Sequence, residues 1–262
     1  MSLYQLNLTM KKKLLGLFFG FMALSLASQA QDLEGTVTYE RNTSYTKMVA
    51  KLPFLSQEEK DRAKMMWGNE EGDKQKMKLT FTPDQSLYTY IGEQGETDDG
   101  RWSWRQSDYV IQRNFEKGTV TELQEMAGKT YVIQDSLKIP KWKVLNQLKD
   151  IAGHICMKAE TEDPTNNQKI VAWFADDIPV STGPERMYGL PGVILELDYN
   201  DGVTVVTATK MEMKKVDAKE LALPKMKGKK INMAEHDRII KAHIKDSMEA
   251  RRNPYWGISL WN

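Results

Sequence analysis

Short stretches in which apolar and polar residues alternate recur along most of the chain. In segment 76–83, for example, Met77, Leu79 and Phe81 fall on one side and lysines or threonines on the other. Alternation with a period of two residues is typical of a strand that buries one face. Comparable stretches lie at 35–45, 86–92, 109–114, 119–126, 129–137, 142–144, 154–160, 169–175, 193–199 and 203–209. The sequence therefore predicts about ten strands in one large, mostly antiparallel sheet.

Two segments interrupt the strand pattern with signals for helices. Ser56 and Glu59 have the spacing of a capping box, which predicts a helix within 53–68, inserted between strands. Asn232 precedes a stretch with apolar residues at helical spacing, which predicts a second helix over 233–252. The expected fold is therefore mostly β: a large curved antiparallel sheet, half-barrel-like, with one inserted helix and a C-terminal helix.

The N-terminus has the pattern of a secretory signal peptide. Lys11, Lys12 and Lys13 precede an apolar run over 14–26, and small residues follow up to Ala30. The run is shorter than the roughly 20 residues that a helix needs to span a bilayer. We therefore expect cleavage after Ala30, and no transmembrane anchor in the mature chain. The protein is expected to be exported and to be periplasmic or associated with the outer membrane.

The sequence predicts three regions of different character. Residues 1–30 form the signal peptide, and residues 31–217 form a β-rich domain. Residues 218–262 comprise a lysine-rich linker, the C-terminal helix and an aromatic tail. The tail carries five large apolar side chains between Tyr255 and Trp261, and leaving them in water is unfavourable. We expect the tail to dock on the domain or, alternatively, to bind a partner.

The charge balance argues against nucleic acid as a partner. The chain holds 37 basic and 36 acidic side chains, so it has no general excess of positive charge to attract phosphates. Cys156 is the single cysteine of the sequence, which excludes an intramolecular disulfide and predicts a buried, unpaired thiol. Stability must therefore come from a packed core.

Few residues have the spacing that catalysis or metal binding requires. His154 and Cys156 lie two residues apart on one face of a predicted strand, where they could form a thiol–imidazole pair or part of a metal site. Asp176 and Asp177 could serve as acids or bases, although acids at such a position usually cover a solvated turn. We therefore assign no catalytic residue, metal ligand or cofactor, and we keep these four residues as weak candidates.

A corner rich in glycine and proline precedes the strand predicted at 193–199. Pro191 has the fixed φ that suits the second position of a turn, and Gly192 follows it, which predicts a type II turn with positive φ at Gly192. Gly189 would let the backbone pass close to a neighbouring segment. This structural signature consists of Gly189, Leu190, Pro191, Gly192, Val193 and Ile194. These residues offer no nucleophile, acid or base, so we expect the corner to have a structural role.

The corner resembles the signature of the GLPGLI family, also called Porph_ging, with Val193 in place of the family's second leucine. Upstream, a strand that contains Cys156 and Lys158, and then the segment 172–174, follow in the family's order. The resemblance extends over about 35–216. Members are small exported proteins of Bacteroidota. The resemblance therefore implies a β-rich cell-envelope protein, and it implies no established activity.

Two functions of different classes are consistent with the sequence. The first is non-enzymatic binding of a hydrophobic ligand or an envelope protein partner on the curved sheet, and the 15 methionines and 7 tryptophans would suit varied apolar ligands. The alternative is a metal- or thiol-dependent accessory hydrolase of the envelope that uses His154 and Cys156. An open apolar pocket would favour binding, whereas convergent polar groups around His154 would favour chemistry.

The leader pattern predicts that the mature protein begins at Gln31. The small residues that end at Ala30 are those that a signal peptidase reads. Intact-mass spectrometry of the protein purified from the cell envelope should therefore give the mass of a chain that starts at Gln31. A purified chain that retains 14–26 would contradict the prediction of export.

Overall fold

The computed structural model of the protein describes residues 33–68, 72–92, 94–96, 103–105, 108–126, 128–163, 165 and 168–255. The predicted signal peptide lies outside the described residues, and so does the aromatic tail beyond Tyr255. The described residues from Leu33 onward belong to one compact unit.

Fourteen strands and three α-helices make up the described part of the chain. The strands are β1 (Gly35–Thr43), β2 (Asp73–Phe81), β3 (Gln85–Tyr90), β4 (Gln94–Glu96), β5 (Ser103–Arg105), β6 (Tyr109–Asn114), β7 (Thr119–Met126), β8 (Lys129–Ser136), β9 (Lys143–Ile151), β10 (His154–Asp163), β11 (Gln168–Ala175), β12 (Val193–Tyr199), β13 (Thr204–Met213) and β14 (Lys229–Ile231). The helices are α1 (Tyr45–Ala50), α2 (Gln57–Trp67) and α3 (Met233–Glu249), with a 3-10 turn at Ala218–Leu221.

Twelve of these strands form one open sheet in the order β14-β8-β7-β6-β3-β2-β1-β13-β12-β11-β10-β9. Neighbours are antiparallel except for β14, which pairs parallel with β8, and β4 with β5 forms a separate two-stranded ribbon. The prediction of a mostly β fold built on a large, mostly antiparallel sheet is confirmed. The parallel strand β14 lies in the segment that was expected to be a linker, so that segment contributes to the sheet.

Both predicted helices are present, and the insertion contains a second helix that the sequence analysis missed. The capping box of α2 is complete: Glu59 N donates to Ser56 Oγ over 3.2 Å, and Ser56 N donates to Glu59 Oε2 over 2.7 Å. The additional helix α1 is short, and Ser44 caps it. At α3 the Asn232 side chain accepts from Glu235 N over 2.8 Å. None of the described helices has the length and apolar character that spanning a membrane requires.

The alternation of apolar and polar residues buries one face of the sheet, because residues paired across neighbouring strands lie on the same face. One row of partners runs across seven strands through Val37, Leu79, Tyr88, Ile111, Glu122, Ile133 and Ile231. We call the face that carries this row the inner face. Segment 176–192, between β11 and β12, and helix α3 pack against the inner face. The opposite face of β3, β6, β7 and β8 is covered by Val216 and Leu221.

The signature corner is built differently from the type II turn that the sequence predicted. Positive φ occurs at Gly189, where it is 90°, and Gly192 is not among the residues with positive φ. A Cβ on Gly192 would lie 1.9 Å from the carbonyl oxygen of Ala175. Gly192 is therefore required by a close approach of two backbone segments, and Gly189 by its backbone conformation. The prediction of positive φ at Gly192 was wrong, because a contact with the distant Ala175 constrains this residue. The close approach expected at Gly189 is present, since a Cβ there would lie 2.4 Å from Ile139 Cγ2.

Replacing Gly192 by alanine should be more damaging than replacing a glycine that only needs positive φ. Gly153, in the turn between β9 and β10, has φ of 85° and open space around its Cα, so it provides the matched control. We expect Gly192→Ala to lower the free energy of unfolding by about 2–3 kcal/mol, as for an overpacked core, and Gly153→Ala by about 1 kcal/mol. Urea denaturation measures both. Equal losses would show that backbone contact with Ala175 does not constrain Gly192.

Candidate functional site

Two of the candidates from the sequence analysis, His154 and Asp177, meet at the surface and form a hydrogen bond. His154 Nδ1 lies 2.8 Å from Asp177 Oδ2, and the two side chains are 25% and 56% exposed. Asp176 is exposed beside them. A contact between exposed side chains of this kind contributes little to stability. The structure thus brings His154 and Asp177 into direct contact, and Asp176 is the neighbour of Asp177 in the chain.

Cys156 lies beneath this pair and is fully buried. Its Sγ is 3.5 Å from the backbone oxygen of His154, and the His154 ring bonds Asp177 instead of the thiol. Burial raises the pKa of the Cys156 thiol to about 12, and the nearby Asp177 carboxylate acts in the same direction. A thiol with so high a pKa forms almost no thiolate at neutral pH, so it is a poor nucleophile and metal ligand. Among the described residues, no group of three His, Cys, Asp or Glu side chains could hold a metal ion.

The signature comprises the end of segment 176–192 and the first two residues of β12, and half of its residues belong to the main core. Leu190, Val193 and Ile194 are buried there, whereas Pro191 is exposed. The Tyr39 hydroxyl donates to the Ile194 carbonyl over 2.7 Å. This contact joins the corner to the middle of the sheet.

Glu185 is the central residue of a buried polar cluster that the sequence analysis did not identify. It lies in segment 176–192 with φ of 52° and no solvent exposure. Arg41 Nε on β1 is 3.2 Å from Glu185 Oε1, and the Tyr88 hydroxyl on β3 donates to the same oxygen over 3.2 Å. The Tyr109 hydroxyl on β6 donates to Oε2. Three strands therefore supply one positive charge and two hydroxyl donors to a single carboxylate.

Burial has the largest effect on the pKa values of Glu185, Tyr88 and Tyr109. Loss of solvent raises the pKa of the Glu185 carboxyl, whereas Arg41 and the hydroxyls of Tyr109 and Tyr88 act in the opposite direction. Burial also raises the pKa of both tyrosines well above the ordinary value. Both phenols therefore stay protonated and remain available as donors to Glu185.

Arg113 on β6 holds the same segment through backbone oxygens. Its guanidinium donates to the carbonyl of Gly183 over 3.2 Å and to the carbonyl of Glu185, and it lies 5.3 Å from the centre of the Tyr188 ring. Arg113 is 1% exposed, and burial lowers its pKa. In the described part of the chain no carboxylate is within 4.0 Å of this guanidinium.

A second buried ion pair connects the segment to helix α3. Arg186 donates to the Glu122 carboxylate through Nε over 3.0 Å and through Nη2 over 2.6 Å. Arg186 Nη2 also lies 3.2 Å from His236 Nε2, and His236 Nδ1 is 3.1 Å from Asp237. Burial, followed by the charge of Arg186, lowers the pKa of His236. A neutral imidazole with its proton on Nδ1 satisfies both contacts.

An apolar groove of about 700 Å³ lies between helices α1 and α2 and the C-terminal end of α3. Its apolar lining consists of Val49, Leu52, Phe54, Leu55, Ala63 and Trp67. The polar side chains along it are Glu59, His243, Ser247, Arg251, Arg252 and Asn253. Helix α2 forms one wall, and none of its residues is buried. The groove is therefore a mostly apolar cavity that is open to solvent.

One pattern in the sequence indicates buried charges. A charged residue occupies a strand position at which the alternation predicts an apolar residue. Arg41 is in phase with Val37 and Tyr39 on β1, and Glu122 occupies the row of apolar partners on the inner face. A charge at such a position needs a buried partner. The partner Glu185 lies outside any strand or helix, so periodicity could not identify it.

Comparison with known families and structures supports the fold more than a function. A family described as "Protein of unknown function (Porph_ging)" matches residues 160–196, which include segment 176–192 with Glu185. No curated protein sequence matches the chain.

Two structures of PNGF-II, in space groups C2 and P21, are similar to the chain with a TM-score of 0.51 and 15% sequence identity. The similarity covers 79% of this chain but 32% and 33% of the PNGF-II chains, so it extends over about a third of their length. At this identity the likeness shows the fold alone. An uncharacterized conserved protein from Thermus thermophilus gives a TM-score of 0.37 at 4% identity, over 80% of this chain and 99% of that chain, which is too low to carry an argument.

Removing the charge of Glu185 should destabilise the protein strongly. Glu185→Gln leaves Arg41 buried without a counter-charge, and breaking a buried pair in this way costs about 3–5 kcal/mol of unfolding free energy. Glu116→Gln, at an exposed position between β6 and β7, is the matched control and should change stability by less than about 0.5 kcal/mol. Guanidinium denaturation measures both. A loss below about 1 kcal/mol for Glu185→Gln would refute the central role of this carboxylate.

Proposed function

We propose that the protein is an exported cell-envelope protein of the GLPGLI, or Porph_ging, family of Bacteroidota that binds an apolar ligand without catalysing a reaction. The secretory pattern over 1–30 supports export. The signature over 189–194 and the family match at 160–196 support the family assignment.

The groove between α1, α2 and α3 is the observation that carries the proposal. Its volume of about 700 Å³ falls within the range of about 300–1,000 Å³ that is usual for small-molecule sites. Leu52 and Val49 form its buried base, and Phe54 and Trp67 add aromatic surface. An apolar ligand would remove this surface, and its own, from water.

We place the ligand in this groove instead of on the sheet. The inner face, where a curved sheet would offer a concave surface, is covered by segment 176–192 and by helix α3. A ligand on that face would have to displace Glu185 from Arg41, Tyr88 and Tyr109. The desolvated charges left behind would oppose such an exchange.

The polar side chains along the groove favour an amphiphile with an anionic head group. Arg251 and Arg252 add two positive charges and the Glu59 carboxylate one negative charge, so the charged side chains of the lining have a net positive charge. Arg251 donates to the Phe54 carbonyl over 2.7 Å and retains further N–H donors. A molecule with one long apolar chain and a carboxylate or phosphate head, such as a fatty acid, fits this arrangement.

The groove also contains His243 and Ser247, but their geometry does not suit catalysis. His243 Nε2 lies 3.0 Å from the carbonyl oxygen of Pro254, and that oxygen can only accept. Nε2 therefore carries the proton, and it cannot take one from Ser247 Oγ at 3.5 Å. This argues for binding over hydrolysis at the groove.

Filling the groove should weaken binding of a fatty acid. Ala63 on α2 lines the groove, and Ala63→Phe would occupy part of its volume. Ala242→Phe, at an exposed alanine of α3 outside the groove lining, is the matched control. In fluorescence titrations with a fluorescent C12 fatty acid, competed by palmitate, we expect Ala63→Phe to raise Kd at least about tenfold and Ala242→Phe to leave it within about twofold.

The same titration can reject the proposal. The absence of saturable binding by the native protein, or an equal loss in both variants, would rule out the groove as a site for such amphiphiles. Capture of an envelope protein that Ala63→Phe abolishes, without fatty-acid binding, would favour a protein partner instead.

A further inference from the structure

A second cavity, of about 190 Å³, adjoins the buried charges on the inner face. It is separate from the apolar groove, and the two have no lining residue in common. Its lining includes Arg113, Glu122 and Arg186 from the charged cluster. It is smaller than the roughly 300 Å³ at which sites for drug-sized ligands begin. Only a small molecule would fit.

Arg113 gives the cavity a positive charge that no carboxylate of the described residues contacts within 4.0 Å, although Glu122 and Glu185 attract it from farther away. The two hydrogen bonds of its guanidinium go to backbone carbonyls, although a guanidinium has five N–H donors. Arg186, by comparison, is neutralised by the bidentate contact with Glu122. Lys138 adds a second cation to the lining, at an exposed position. A carboxylate placed here would meet both cations.

Two carboxylates of the lining retain acceptor capacity. Asp163 Oδ1 accepts from Thr165 N over 2.7 Å, and Asp237 Oδ1 lies 3.1 Å from His236 Nδ1. Each carboxylate has about four lone-pair sites, so both can accept further hydrogen bonds. A simple anion in the cavity would be repelled by Asp163 and Asp237, and a simple cation would be repelled by Arg113.

From this combination we infer that the cavity binds a small zwitterion, an α-amino acid, whose carboxylate contacts Arg113 and Lys138 and whose ammonium contacts Asp163 and Asp237. A zwitterion presents both charges within a few ångströms, so it meets both kinds of lining group at once. Charge-assisted hydrogen bonds of this kind are the stronger class. This binding site is independent of the proposed fatty-acid groove.

Isothermal titration calorimetry of the native protein tests the inference with three matched probes. L-alanine carries both charged groups, propionate lacks the ammonium and ethylamine lacks the carboxylate. We expect saturable binding of L-alanine, with propionate and ethylamine each at least about tenfold weaker. If propionate binds as tightly as L-alanine, the site recognises a simple anion and the zwitterion is wrong. If none of the three binds, the cavity holds water only and the inference fails.

Substitutions in the lining test whether L-alanine binds in this cavity. Lys138→Ala should raise the Kd for L-alanine about fivefold, as loss of one partly exposed ion pair does, whereas Lys141→Ala, at a neighbouring exposed lysine outside the lining, should not change it. Arg113→Met should abolish binding. Arg113 also holds segment 176–192, so Arg113→Met is at risk of not folding. In that case Asp163→Asn and Lys138→Ala test whether L-alanine binds in this cavity. Unchanged affinity in both would overturn the assignment.

Discussion

Glu185 has a carboxylate with no exposure to solvent, and Arg41, Tyr88 and Tyr109 reach it from three different strands. Removing a carboxylate and a guanidinium from water is costly, and their attraction offsets that cost only where the geometry is good and further donors are present. Both phenols supply such donors. The contact therefore selects one position of segment 176–192 on the sheet, since a displaced segment would leave unpaired charges in the interior.

Fixing that segment determines which surfaces remain open. Segment 176–192 and helix α3 pack against the inner face of the sheet, and Arg186 joins the two through Glu122 and His236. Two cavities of different polarity remain beside these elements. A small charged cavity remains beside Arg113, and a larger apolar groove remains at the far end of α3, where α1 and α2 complete its walls. The charged cavity and the apolar groove are the two surfaces that we propose for binding.

Local sequence signals predicted much of this fold, because strands and caps depend on near neighbours. Alternation identified β6, β7 and β12, and the pair of Ser56 and Glu59 identified α2. Features that depend on distant contacts were not predicted. Gly192 is constrained by Ala175, and the three-residue strand β14 is defined by its pairing with β8. The buried polar cluster around Glu185 was the least predictable part of the structure. Glu185 lies in an irregular segment, and its partners come from strands that are far away in the sequence.

Segment 176–192, held by Glu185, covers the inner face of the sheet, and we propose that the ligand therefore binds in the groove between the helices. A crystal structure of the native protein with a bound C12 fatty acid tests it most directly. We predict electron density for an extended apolar chain between α1, α2 and α3, with the head group near Arg251 and Arg252 and with Glu185 still in contact with Arg41. Density for the ligand against Tyr39 and Tyr88 on the inner face, with segment 176–192 displaced, would contradict the account.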